Sequence, residues 1–123
     1  MSVDYESLYD ELKKSNDNVE QCAVLEENGT LINSSSGWDL SEDGKQLIET
    51  WLAHGPRIVI QEIGFSVLRS EPEQFIARNV SGKGAIVGSI TKSGNYLVVK
   101  LSPSSAERMG RDFIDVARYA AKM

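Results

Sequence analysis

The sequence predicts an α+β domain in which an antiparallel sheet carries helices packed on it. Helical stripes stand near both ends of the chain and once between them, whereas Arg57 to Leu101 breaks into four or five short β-prone runs. No interval between those runs is long enough for the helical crossover that a parallel sheet needs. The length of 123 residues, with 41% hydrophobic and 25% charged, suits one core of ordinary size, so residues 1–123 are expected to form a single domain.

The first helix is read from Tyr5, Leu8, Tyr9 and Leu12, one apolar stripe at i, i+3, i+4 and i+7. Asp4 and Glu6 at its start and Lys13 and Lys14 at its end suit the helix dipole. Two apolar runs, Cys22 to Leu25 and Thr30 to Ile32, flank Glu26-Glu27-Asn28-Gly29, and Asn-Gly in that setting signals a hairpin. After a loop at Ser34-Ser35-Ser36-Gly37, a second helix is expected with Ser41 as its cap and Leu47, Ile48, Trp51 and Leu52 on its buried face. Gly55-Pro56 stops it. The β-prone runs begin at Ile58, Phe65, Phe75, Ala85 and Tyr96. Turns are expected at Gly64, Ser70-Glu71-Pro72, Ser81-Gly82-Lys83-Gly84 and Ser93-Gly94-Asn95. Pro103 and a capping box of Ser104 and Glu107 open the last helix. Its stripe is Ala106, Met109, Phe113, Val116, Ala117 and Ala120, and Arg118 and Lys122 stand at its negative end.

The net charge of −5 conceals an uneven distribution. Residues 1–56 hold twelve acidic and three basic side chains, net −9, and residues 57–123 hold six acidic and ten basic, net +4. The negative total argues against a general nucleic-acid binder or a polybasic membrane binder. The lone cysteine, Cys22, excludes an internal disulfide and points to a reducing, cytoplasmic setting. No apolar run approaches the roughly 20 residues of a membrane helix. The opening Met1-Ser2-Val3-Asp4 is unlike a signal peptide.

Catalytic chemistry is thin. His54 is the one histidine, so neither a histidine-pair metal site nor a conventional Ser-His-Asp arrangement is available. A structural role at a helix end is expected for it, and a buried, inert thiol for Cys22. Ser81-Gly82-Lys83-Gly84 lacks the spacing of a phosphate loop and reads as a tight turn. Glu26-Glu27, Glu42-Asp43 and Asp112/Asp115 read as solvated surface. What remains is surface. The bases Arg69, Arg78, Lys83, Lys92, Lys100, Arg108, Arg111 and Arg118 are either scattered solubility charges or a basic docking face for an acidic partner.

Several fragments in order resemble the C-terminal half of profilins. They are Ser66-Val67-Leu68-Arg69-Ser70-Glu71-Pro72, Phe75-Ile76-Ala77-Arg78, Ser81-Gly82-Lys83-Gly84, Ile90-Thr91-Lys92-Ser93-Gly94 and Tyr96-Leu97-Val98-Val99. The likeness covers residues 65–115 and lies in order and spacing; before that it rests on topology alone. It implies a profilin-like central antiparallel sheet of six to seven strands, with the N- and C-terminal helices on one face and a further helix on the other. It also implies a divergent, archaeal family member: a cytoplasmic, cytoskeleton-associated monomer, without cofactor or catalytic activity, that binds monomeric actin and regulates its polymerisation. The positions matching the family's actin face are Arg78, Lys83, Lys92, Tyr96, Arg108 and Arg111.

The resemblance further implies a site for proline-rich segments between the first and last helices, with rings from Tyr5, Tyr9, Phe113 and Tyr119. That site is expected to be weakened, because Val3 and Leu31 stand where tryptophans are expected and Trp38 falls in a loop. Phosphoinositide binding, another family trait, finds little encouragement in the net charge. The alternative is a roadblock-type or longin-type module that binds or regulates small GTPases. Roadblock domains have about three strands before the final helix, against the four or five read here.

Overall fold

A computed structural model describes residues 4–35, 38–79, 81–102 and 109–123, the side chains of residues 109–112 excepted. In chain order the elements are α1 (Tyr5–Ser15), β1 (Val19–Leu25), β2 (Leu31–Ser34), α2 (Asp43–Ala53), β3 (Arg57–Ile60), β4 (Ile63–Ser70), β5 (Gln74–Arg78), β6 (Ala85–Ile90), β7 (Tyr96–Leu101) and α3 (Met109–Ala120). Among the described residues, five strands follow α2. All seven form one antiparallel sheet in the order β2-β1-β7-β6-β5-β4-β3.

Period-two alternation divides the buried residues between the two faces. On one face Ala23, Leu25, Phe75, Ala77, Ile86, Tyr96 and Val98 pack with Leu47, Ile48 and Trp51 of α2. On the other, Cys22, Val24, Val87, Leu97 and Val99 pack with Tyr9 and Leu12 of α1 and Val116, Tyr119 and Ala120 of α3. The terminal helices therefore share one face and α2 has the other, as expected. Trp51 lies stacked on Phe75 at 5.3 Å and edge-on to Tyr96 at 4.9 Å. Room for its indole comes from Gly88, where a Cβ would stand 2.6 Å from Cζ3 and 2.9 Å from Cη2 of Trp51.

Local signals fared unevenly. Asp4 accepts the Ser7 amide at 3.1 Å and opens α1. Ser41 does not cap α2: its hydroxyl and amide both bond Asp39 Oδ1, at 2.6 and 2.9 Å, and Glu42 occupies the cap position without a side-chain cap bond. Nor does Leu52 join the core. It is 47% exposed, because it sits past the edge of the stripe that Leu47, Ile48 and Trp51 bury. The β3–β4 turn falls at Gln61-Glu62, both at positive φ, and Gly64 lies inside β4. The Ser104–Glu107 capping box and Pro103 lie outside the described residues.

Two features anchor the periphery. Along the edge strand β3 and the turn after it, α2 side chains take outward amides: Val59 donates to Gln46 Oε1 at 2.9 Å and Gln61 to Asp43 Oδ2 at 2.8 Å, which blunts the edge against strand addition. Asp115, expected on the solvated surface, is buried instead. It accepts from Asn16 Nδ2 at 3.1 Å and from Arg118 at 3.1 Å, linking α3 to the end of α1, because a buried carboxylate needs such partners.

Candidate functional site

The core beneath α1 and α3 includes residues of β1, β6 and β7 and none of β3, β4 or β5. Among the described residues, that half of the sheet therefore carries no helix-packed core on this face, while its other face is filled by α2. Register identifies what the open half presents. Arg57 pairs with Ser66, Ser66 with Arg78, and Arg78 with the buried Ala85 of the α1/α3 core. Val59 and Gly64, and Arg69 and Ile76, extend the same surface along the strands. A bulge between Val67 and Arg69 leaves Leu68 outside the ladder and 61% exposed.

Among the described residues, the positions expected for docking do not gather into one patch. Arg78 ends β5 and Lys83 lies in the following turn, both exposed. Lys92, also exposed, lies beyond the other end of β6, a strand roughly 20 Å long. Its amide bonds Ala120 O at 3.2 Å, so it sits where α3 finishes. Tyr96 is only 6% exposed, in the core against Trp51, and burial, helped by the Glu27 carboxylate, raises its phenol above the ordinary value. The start of β7 places that side chain on the α2 face, which periodicity within one short strand does not reveal. Arg111 lies in the first turn of α3, its side chain not described, and Arg108 lies outside the described residues.

Charge on the basic half is partly neutralised. Lys100 is bonded to Glu20 at 2.7 Å, Arg118 to Asp115 at 3.1 Å, and Arg69 lies 3.7 Å from Glu71 and 3.2 Å from Gln74 Oε1. Arg57 and Arg78 have no ion-pair partner among the described residues. Arg57 was absent from the expected set. The signal that could have found it is alternation, since Arg57 is out of phase with the buried Ile58 and Ile60. That signal becomes spatial only when the turn at Gln61-Glu62 sets the register.

The four rings expected to hold proline-rich segments do meet between α1 and α3. Tyr5 and Tyr9 stack at 6.3 Å, and Tyr119 bonds Ser15 at 3.2 Å. Lys122 lies over the Tyr119 ring at 4.6 Å. However, Tyr9 and Tyr119 are buried, and only Tyr5 and Phe113 remain half-exposed. Burial pushes the Tyr9 phenol far above its ordinary value, and its hydroxyl has no hydrogen-bond partner among the described residues.

The remaining candidates behave structurally. His54 takes a left-handed conformation at the end of α2, φ 58°, and its Nδ1 lies 2.7 Å from Ser70 O. The amides of Ser81 and Lys83 are bound by Asn79 Oδ1 at 2.9 and 3.0 Å, so the turn does not offer them to an anion. Burial pushes the Cys22 thiol up to about 12. No group of three or more metal-ligating side chains occurs among the described residues. Within them no helix is long and apolar enough to cross a membrane.

Comparison with known proteins follows the same lines. No protein-family model matches the chain. Odin profilin of Odinarchaeota yellowstonii is 33% identical over 102 residues, covering 82% of this chain and 84% of that protein. Loki profilin-3 of Lokiarchaeum is 34% identical over 82 residues, 65% and 67% of the two chains. Among solved structures, a complex of Loki profilin 2 with rabbit actin superposes with a TM-score of 0.84 at 25% identity, covering 99% of this chain and 96% of that one. Loki profilin 1 in complex with rabbit actin gives 0.83 at 26%, covering 99% and 95%. A roadblock domain from Streptomyces avermitilis gives 0.59 at 18%, covering 99% and 100%, a likeness of fold alone.

Proposed function

The chain belongs to the profilin family, and on that premise we propose that it binds monomeric actin and regulates its polymerisation, with no catalytic activity of its own. The observation that carries the reading is the match over nearly the whole chain to a profilin seen bound to rabbit actin. The docking face is the open half of the sheet together with the β5–β6 turn and the start of α3. Arg78, Lys83, Arg108 and Arg111 belong to it. Lys92 does not, because it stands at the far end of β6, and Tyr96 acts from the core.

A basic rim around half-buried Val59 and Ile76 suits an acidic protein partner: the charges orient the encounter, and the apolar centre supplies the area that excludes water. Such a protein works in the cytoplasm, where its partner polymerises. The small-GTPase reading is not favoured, since five strands follow α2 and the roadblock likeness is the weaker one.

The test is spontaneous polymerisation of actin followed by pyrene fluorescence. Wild-type protein slows it. Arg78→Glu with Lys83→Glu abolishes the effect, whereas Lys92→Glu leaves it intact. Inhibition unchanged by the first pair sinks the face, and absence of inhibition by the wild type sinks the function. Proline-rich segments are a second ligand of this reading, received by Tyr5 and Phe113. Their affinity is expected to be low because the other two rings are held in the core.

A further inference from the structure

We propose that Arg57, Ser66 and Arg78 form a clamp for one carboxylate, the side chain of an aspartate or glutamate on the docking partner. The partner's identity as actin rests on the reading above, while the clamp rests on the sheet.

Register sets the three side chains in one row across β3, β4 and β5. Directly opposed residues have Cβ atoms about 5 Å apart, so the two arginines flank the Ser66 hydroxyl from strands lying roughly 10 Å from each other. A guanidinium offers paired N–H donors in a planar fork that matches a carboxylate, and the serine hydroxyl adds a third donor between them.

Three observations favour these two over the other arginines whose side chains are described. First, Arg69, Lys100 and Arg118 are already engaged by Glu71, Glu20 and Asp115, whereas Arg57 and Arg78 have neither an ion pair nor a side-chain hydrogen bond among the described residues. Second, the Arg57 guanidinium is laid on the backbone of Gly64. A Cβ there would overlap Nη2 and stand 3.0 Å from both Cζ and Nε. Glycine at this position thus lets the arginine lie flat over β4, two residues from Ser66 on the same face, and ordering it before the encounter lowers the entropic cost of binding. Third, Val59 and Ile76 are half-buried on the same face, so a docked partner would shield the charges from water and strengthen them.

A clamp and mere electrostatic steering respond differently to lysine. Arg57→Lys and Arg78→Lys keep the charge and lose the fork, so each is expected to weaken actin binding at least tenfold, chiefly through faster dissociation. Arg118→Lys, altered in a residue engaged with Asp115 in the last turn of α3 and outside the docking face, is expected to change it less than twofold. Gly64→Ala is expected to follow Arg57→Lys in affinity while keeping its melting temperature, since the displaced group is the free end of a flexible side chain. Rates are measured by stopped flow on monomeric actin. In parallel, the Nε–H resonances of the arginines are followed by NMR during titration with acetyl-tetraglutamate amide. Selective movement of Arg57 and Arg78, with Arg69 still, supports the clamp even where wild-type protein binds no actin, an outcome that rejects only the actin reading. Actin binding that is indifferent to both lysine substitutions, or a peptide titration that moves all arginines alike, overturns the clamp.

Discussion

Replacing Gly88 by alanine is expected to destabilise the protein, and the same replacement in a Trp51→Phe background is expected to stabilise it. The added methyl would stand 2.6 and 2.9 Å from the far edge of the Trp51 indole. Trp51 cannot retreat, being fully buried between Phe75 and Tyr96, while its Nε1 donates to Glu71 O and its carbonyl accepts from Ser70 Oγ at 2.6 Å. Overpacking of this kind costs about 1–3 kcal/mol. Against it stands a gain of about 0.5–1 kcal/mol from replacing glycine within a strand. The midpoints of these ranges leave a net loss of about 1.25 kcal/mol, and at roughly 3–6 °C per kcal/mol for a chain of this length the melting temperature should fall by about 4–8 °C. Phenylalanine at 51 does not reach the crowded edge, so only the gain remains and the sign reverses. Thermal and urea unfolding followed by circular dichroism on the four proteins of the cycle measure the coupling. Additive effects, or a Gly88→Ala protein as stable as the wild type, would refute the claim that the glycine exists to admit the indole.

Two further outcomes are expected of the bare protein. Glu62→Gly should raise stability by about 1 kcal/mol, because Glu62 holds φ 71° in a two-residue hairpin turn where glycine carries no steric cost; an unchanged urea midpoint contradicts this. Stability should also fall as pH rises above the ordinary thiol value of 9.0, since burial lifts the Cys22 thiol to about 12 and the Tyr9 phenol higher still. A folded value above the unfolded one means that the folded state holds the proton more tightly, so this contribution is complete below pH 9 and lost from there towards 12. Cys22→Ala and Tyr9→Phe should each flatten the alkaline limb of a plot of melting temperature against pH, and iodoacetamide should modify Cys22 at pH 8 only as fast as the protein unfolds.

Features that depend on near neighbours were legible in the chain alone. The stripe of Tyr5, Leu8, Tyr9 and Leu12, the Asn28-Gly29 hairpin and the alternating runs after Arg57 announced each element and the antiparallel sheet, because helix and strand periods are imposed within a few residues. The order of fragments from Ser66 to Val99 carried the family likeness for the same reason, being a record of local punctuation. Which charged side chains stand together depended on the folded sheet. Lys83 and Lys92 are nine positions apart and read as one patch, yet β6 holds them at opposite ends of the sheet. Arg57 and Arg78 are twenty-one positions apart, yet they face each other across Ser66. Asp115 looked like solvated surface until Asn16, from the other end of the chain, came to meet it. Strand register is the physical reason. It is set by the Gln61-Glu62 turn and the bulge at Leu68, and a shift of one residue in a strand would have turned that strand's arginine towards the opposite side of the sheet.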